Sequence, residues 1–386
     1  MSFIPKTGRG ARKRGIEILR CGAQTPTVHL RGRRIERDVG APLVALSWFY
    51  SVLSPRRRRL GASPHSAGFQ SHAIYGLASF LALLPVLAHA QPPPIIDREA
   101  VYQKSLPLYQ YDASKPLAVK LGATQKIGTA KFLRFSYGST NAQRVPALLF
   151  TPPSASAAHP VPCLVILHGL GGSKEIMSGM ALAAAKFGYA SLVIDEYGQG
   201  ERGPLKTAPG SQAEQLAVTV LQTAVDVRRG IDYLATRPDI NTKRLGLAGV
   251  SLGAAIGAVT SGVEPRIKAV VLISGGGDWG LILKTLSSRS AVVGGRDTSA
   301  FKKIDFAALN VLLAPEDPLT FAPHIAPRPL LMLGGRQDTT IVPQAQSELY
   351  DAAKQPKQIV WYPQYGHVPP PEVVYPAMQK FFAAQL

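Results

Sequence analysis

Short, predominantly apolar runs alternate with stretches of helical period from residue 161 to the C-terminus, and this alternation constrains the fold more than any other feature. The runs are Val161–Leu167, Ala190–Ile194, 244–250, Ile267–Ile273, 329–333 and 358–362. A strand with one wet face alternates polar and apolar residues. A continuously apolar run belongs to a strand buried on both faces, as in a parallel sheet covered by helices. Helices are expected over 180–187, from Ser211 to Pro238, over Leu252–Val263, and at 343–354 and 372–384. The clearest opens on Ser211 and Glu214, a capping box, and sets Leu216, Val220, Ala224, Val227, Ile231 and Leu234 at spacings of three and four. Two further strands are expected at 131–137 and 144–150. The pattern predicts an α/β fold, a mostly parallel central sheet flanked by helices. Residues 276–325 break the rhythm with glycines, prolines and short helical pieces, and are a candidate cap insertion. Residues 91–128 form an N-terminal extension.

The first ninety residues differ in composition. They hold 14 Lys and Arg against 3 Asp and Glu, more than half of the chain's formal charge of +19. Residues 1–60 are rich in Arg, Gly and Pro and include Arg56-Arg57-Arg58-Arg59. Residues 74–88 are predominantly apolar, and Ala88-His89-Ala90 follows. A basic flank, an apolar stretch and a small-x-small site form the pattern of a secretory signal peptide. The stretch is shorter than the ~20 residues of a membrane span, although an uncleaved signal anchor is the alternative. Gln91, rather than a cysteine, argues against a lipoprotein. The residues before the apolar stretch are accounted for by a start placed too far upstream, or by a twin-arginine signal using Arg58-Arg59. On this reading 1–90 lie outside the fold, 91–386 form it, and cleavage near Ala90-Gln91 gives a periplasmic or secreted protein without a stable membrane anchor.

With the leader set aside, the remaining positive excess is that of a moderately basic surface. It shows no basic stripe interleaved with aromatics, so no nucleic-acid partner is expected. Hydrophobic residues make up 46% and charged residues 17% of the chain, which excludes a disordered protein. Cys21 and Cys163 supply no disulfide framework and no metal-ligand spacing, and Cys163 reads as a buried small hydrophobe. The glycine pairs and triplets do not open a helix after a first strand. No cofactor and no metal are expected.

Gly249-Val250-Ser251-Leu252-Gly253 matches G-x-S-x-G. Its setting gives the match weight, because it follows an apolar strand and opens an Ala- and Gly-rich helix. A tight strand-to-helix turn there exposes the Ser251 hydroxyl at a strained backbone position. The flanking glycines remove side chains that would clash in the turn. The helix N-terminus turns its positive dipole end toward charge developing beside the serine. The alternative for Ser251 is a plain N-cap serine.

These residues carry a family resemblance. His168-Gly169-Leu170-Gly171-Gly172 after the first buried strand, the elbow at Ser251, Gly334-Gly335-Arg336-Gln337-Asp338 after the strand at 329–333, and Gly366-His367 after the strand at 358–362 together resemble the α/β-hydrolase superfamily over residues 130–386. With Asp195-Glu196-Tyr197-Gly198-Gln199-Gly200-Glu201-Arg202, the chain looks most like the dienelactone-hydrolase and acetyl-xylan-esterase-like branch. The resemblance implies an α/β-hydrolase fold and a Ser–Asp–His triad in that chain order. Ser251 would be the nucleophile, His367 the general base and Asp338 the residue that orients the imidazole. Of the other histidines after the leader, His159 lies in a loop, His168 belongs to the glycine motif and His324 sits among prolines. Asp317 and Asp278 compete for the acid without directly following a strand. Asp338 as a plain turn residue is the bland alternative. Asp195 is expected to order its loop through Gly200. Backbone N–H groups of Leu252 and Leu170, with Gly169 as the fallback, would form the oxyanion hole. The H-G-L-G-G motif lacks the third consecutive glycine of the HGGG esterases, which places the chain outside that group.

The resemblance implies an exported serine carboxylic-ester hydrolase acting on short to medium acyl esters. A thioesterase or serine peptidase with the same triad is the rival within enzymes, and a non-catalytic binding protein on the same fold is the rival outside them. Leu281, Leu283, Leu286 and Phe321 are candidates for an apolar acyl pocket, or for ordinary core.

Overall fold

The computed structural model describes residues 95–140, 142–203, 212–288, 292–293, 296–297 and 305–386. The leader with its cleavage site, and Ser211 of the capping box, lie outside the described residues.

The described residues open with α1 (Arg98–Ser105), whose N-cap Asp97 accepts a hydrogen bond from the Ala100 amide. Three antiparallel strands follow, β1 (Lys120–Ile127), β2 (Ala130–Gly138) and β3 (Arg144–Thr151). Then come β4 (Val161–Leu167), α2 (Ser178–Lys186), β5 (Ala190–Ile194), α3 (Gln212–Ala235), β6 (Ile240–Val250), α4 (Leu252–Val263) and β7 (Ile267–Ile273). Residues 276–325 contribute α5 (Trp279–Ser288), a two-residue pair β8 (Val292–Val293) and β9 (Arg296–Asp297), α6 (Phe306–Leu312) and α7 (Pro318–Phe321). β10 (Leu330–Gly335), α8 (Pro343–Ala352), β11 (Lys357–Tyr362) and α9 (Pro371–Gln385) complete the fold.

Among the described residues the main sheet has nine strands in the order β1-β2-β3-β5-β4-β6-β7-β10-β11. From β5 to β11 every neighbouring pair is parallel. The continuous apolar runs behave as their composition demands. All residues of β4, β5 and β10 are buried, with helices over both faces. On α3, Ala217, Val220, Ala224, Val227, Ile231 and Leu234 are fully buried at the spacings expected of one helical face. Each fully buried Val, Leu or Ile contributes about 1.5–3 kcal/mol, so this one face anchors the helix firmly. Cys163 is buried in β4, and burial pushes its thiol up to about 12.

The extension holds two elements that sequence patterning does not display. In β1, Lys-Leu-Gly-Ala-Thr-Gln-Lys-Ile, all eight residues are exposed, so no core face exists to impose a period. The short helix α1 docks through Tyr102, which packs on the core, and through the Arg98 guanidinium, which lies on the Thr320 hydroxyl and 3.7 Å from Asp317. Phe321 is completely buried with its ring edge-on to Tyr102 and Tyr109. Leu283 is likewise buried, and Leu281 and Leu286 pack against the same core. Of the two readings for these four residues, core is the one that describes their packing.

The strand order reverses at β4, since the chain leaves β4 to one side for β5 and then crosses to the other side for β6. In open α/β sheets the carboxyl ends of the strands at such a switch point form the ligand crevice. The loop His168–Gly172 follows β4 and the turn at Ser251 follows β6, so both lie at that crevice.

Candidate active site

Ser251 sits between β6 and α4 with φ 56° and ψ −117°, in the left-handed region that non-glycine residues rarely occupy. Its amide donates to the Ile273 carbonyl of β7 at 2.9 Å, which fastens the strained residue to the neighbouring strand. The glycines on either side are demanded by space. A Cβ on Gly249 would lie 2.2 Å from the Gly253 carbonyl oxygen, and one on Gly253 would lie 2.3 Å from the His168 carbonyl oxygen. The turn therefore closes on itself and rests directly on the loop after β4.

His367 follows β11 and reaches across to Ser251. Its Nε2 is 2.9 Å from Ser251 Oγ, and its Nδ1 is 2.8 Å from Asp338 Oδ2. A carboxylate oxygen only accepts, so Nδ1 carries the ring proton and Nε2 is free to accept the serine hydroxyl. Asp338 is buried. Its Oδ1 accepts the amides of Thr340 at 2.8 Å and Ile341 at 3.0 Å, while Oδ2 accepts the Gln346 side-chain amide at 3.1 Å beside His367. Asp338 is thus a turn-capping residue and the imidazole's partner at once.

The loop after β4 is built on buried polar contacts. His168 is fully buried, accepts the Glu196 amide at Nε2 (3.3 Å) and faces the Gly169 carbonyl with Nδ1 (2.9 Å). Burial lowers its imidazole below the ordinary histidine value, and an amide donor at Nε2 with a carbonyl acceptor at Nδ1 fits the Nδ1–H tautomer. Gln199 Oε1 accepts the Gly171 amide at 2.5 Å, and its own amide donates to Glu196 Oε2 at 2.9 Å. Burial, and then the Asp195 charge, hold Glu196 well above the usual carboxyl range. Asp195 accepts the amides of Lys174 and Glu201, and its carboxylate fills the space a Cβ on Gly200 would need, 2.2 Å away. The Lys174 ammonium is fully buried among Asp195 (2.8 Å), Glu201 (2.6 Å) and Glu175 (3.0 Å). Burial alone disfavours that ammonium; the interactions with the three carboxylates outweigh it and raise Lys174 above its ordinary value.

Leu252 is the first residue of α4, where the amides have no partner on the helix itself. A Cβ on Gly169 would lie 3.4 Å from Ser251 Cβ, so the loop carrying Leu170 passes against the Ser251 side chain. The competitors stand elsewhere. Asp317 caps α7 and accepts the amides of Asp278 and Trp279. His324 stacks on Tyr102 and pairs with Glu99 at 3.3 Å. Asp278 accepts the Leu281 amide. Among the described residues no three His, Cys, Asp or Glu side chains are grouped to hold a metal ion.

Gln346 and Lys174 were not singled out by sequence. Gln346 carried a signal, since it lies with Ala345 and Leu349 on the buried face of α8, where a polar residue requires a partner. Lys174 carried none, because a lysine in a glycine-rich loop reads as solvated.

A strained serine at a strand-to-helix turn, bonded to a histidine and a buried aspartate at the carboxyl edge of a parallel sheet, defines the α/β-hydrolase class. Within it, the chain belongs to the dienelactone hydrolase family, whose family model matches residues 145–368. Among curated relatives, the Escherichia coli K12 protein YcjY is 30% identical over 129 residues, 33% of this chain and 40% of that protein. The Mycobacterium tuberculosis protein MT2364 is 28% identical over 210 residues, 54% of this chain and 64% of that protein. The chain therefore spans less than two thirds of either relative. Among solved structures, an acetyl xylan esterase from Paenibacillus sp. R4 aligns with TM-score 0.62 at 22% identity, over 75% of this chain and 95% of its own. Acetyl xylan esterase 1 from Thermoanaerobacterium sp. JW/SL YS485 aligns with TM-score 0.60 at 18% identity, over 74% and 93%. At those identities the likeness is one of fold.

Proposed function

We propose that this protein is a serine hydrolase that cleaves carboxylic esters of short to medium acyl chains through an acyl-enzyme on Ser251. The observation that carries the reading is the continuous relay from Ser251 Oγ to His367 (2.9 Å) and from His367 to Asp338 (2.8 Å). His367 Nε2 takes the hydroxyl proton as Ser251 Oγ attacks the ester carbonyl, and Asp338 holds the imidazole that becomes charged. The tetrahedral oxyanion is received by the amides of Leu252 and Leu170. The alcohol leaves with the proton from His367, and water repeats the sequence to release the acid. Family membership, and the fold shared with acetyl xylan esterases, support an ester substrate. The leader pattern supports export, with cleavage near Ala90-Gln91 and action on esters outside the cytoplasm; N-terminal sequencing of the exported protein tests this part.

Hydrolysis of p-nitrophenyl esters from acetate to palmitate by the purified protein tests the reading. Activity on the shorter esters, abolished in Ser251→Ala, is the expected result. A folded wild type that cleaves none of them and resists a fluorophosphonate contradicts it.

A further inference from the structure

Three residues around the relay adopt left-handed backbone conformations: Ser251 at φ 56°, Ser274 at φ 51° and Val368 at φ 60°. For a β-branched residue such as Val368 this is a genuine outlier that carries a steric cost. Val368 directly follows His367, so its backbone sets where the imidazole begins. Such a conformation persists only where neighbours over-determine it. The neighbour here is Ser274, at the end of β7 and completely buried. Its Oγ accepts the Val368 amide at 3.1 Å.

Ser274 is also tied to the strands that carry the other two members of the relay. Its own amide donates to the Leu333 carbonyl of β10, the strand leading to Asp338, at 2.8 Å. The residue before it, Ile273, accepts the Ser251 amide at 2.9 Å. The dipeptide Ile273-Ser274 therefore holds the nucleophile turn through a carbonyl, the acid strand through an amide and the base turn through a hydroxyl. Two of these bonds are backbone bonds available to any residue. Only the third needs a side chain, and only a short one with an oxygen at the γ position reaches.

We propose that Ser274 is a positioning residue of the hydrolytic site: its hydroxyl holds Val368 in the left-handed conformation that aims His367 between Ser251 and Asp338. The inference rests on the catalytic reading of the triad above. It assigns Ser274 no contact with substrate. Its effect falls on the alignment of the imidazole, and so on kcat, with ester binding left in place.

The test is a double-mutant cycle between Ser274→Ala and Val368→Gly, with kcat and KM measured on p-nitrophenyl acetate. Ser274→Ala removes the acceptor and keeps the Cβ. Val368→Gly lets the turn adopt its positive φ without a brace. Ser274→Ala alone is expected to lower kcat about tenfold with KM within about twofold, the size of one lost hydrogen bond of about 1.4 kcal/mol. In the Val368→Gly background the same change is expected to cost less than about threefold. Ser274→Cys, whose sulfur is a weak acceptor, is expected to lie between wild type and Ala, and it replaces Ala should Ala fail to fold. A second readout needs no turnover. The proton NMR signal of the His367 Nδ1–H is expected to broaden or move in Ser274→Ala and Ser274→Cys relative to wild type. An inactive wild type contradicts the ester-hydrolase reading and leaves the NMR comparison standing. An unchanged kcat and Nδ1–H signal in folded Ser274→Ala, or an equal cost in both backgrounds of the cycle, overturns the role of Ser274.

Discussion

Gln346 donates its side-chain amide to the same Asp338 oxygen, Oδ2, that faces His367 Nδ1. A second bond from that amide, to the Ile341 carbonyl at 2.7 Å, fixes the glutamine on the turn that follows the acid. Together with the Thr340 and Ile341 amides, the carboxylate is gripped at both oxygens, so its orientation toward the imidazole is set by the protein. Replacing Gln346 by Leu leaves volume and removes one hydrogen bond to a charged group, worth about 1.5–3 kcal/mol. Steady-state kinetics on Gln346→Leu are expected to show kcat lowered about tenfold or more. A kcat equal to wild type would show that the backbone amides alone suffice.

The packing of the turn at Ser251 on the loop after β4 makes Gly253 a glycine that no larger residue can replace without movement. A methyl there would meet the His168 carbonyl oxygen at 2.3 Å, and the colliding atoms are backbone that cannot swing aside. Overpacking of a closed core site costs about 1–3 kcal/mol or more. Gly253→Ala is expected to lower the urea midpoint clearly and to lose activity, because relief of the clash moves His168 and the loop it anchors. A variant of wild-type stability and rate would mean the two segments separate freely.

Burial decides which members of the charge cluster matter. Lys174 and Asp195 are fully buried, while the Glu201 side chain is 55% exposed. Lys174→Met strands a buried carboxylate and is expected to cost about 3–5 kcal/mol in chemical denaturation. Glu201→Gln loosens an exposed partner and is expected to cost less than about 1 kcal/mol. Equal losses in the two variants would contradict this ordering.

The protein also carries a buried acid outside the relay. Glu316 is fully buried, its two carboxyl oxygens have no hydrogen-bond partner, and burial, then the Asp317 charge, push it up to about 8. In the unfolded chain this carboxyl ionises near its ordinary value, so between there and about pH 8 the native state holds a proton that the unfolded state has released. Its contribution to stability is full below the unfolded value and is lost as pH rises to about 8. Urea unfolding at pH 5 and pH 8 is expected to show wild type losing several kcal/mol more than Glu316→Gln over that interval, on the order of 1.4 per pH unit. Parallel losses in the two proteins would contradict the assignment.

The positions of the buried parallel strands were legible because strands covered on both faces are predominantly apolar, as Val161–Leu167 is. Ser251, Asp338 and His367 were singled out because each lies in the turn after a strand, and their side chains meet within hydrogen-bond distance. What escaped was stabilised by partners distant in sequence. β1 has no buried face to leave a period, and α1 is held by an arginine lying over Asp317 and Thr320. Ser274 and Lys174 are common residue types whose meaning comes from Val368, 94 residues away, and Asp195, 21 residues away. Gln346 alone left a trace, as a polar residue on the apolar face of α8.

The central claim is that Ser251 is the nucleophile, activated by His367. Labelling the intact protein with a fluorophosphonate and mapping the adduct by mass spectrometry tests it most directly. A single adduct on Ser251, absent in Ser251→Ala and strongly slowed in His367→Ala, is the expected result. An adduct on another residue, or labelling of Ser251 that proceeds at the wild-type rate without His367, would contradict it.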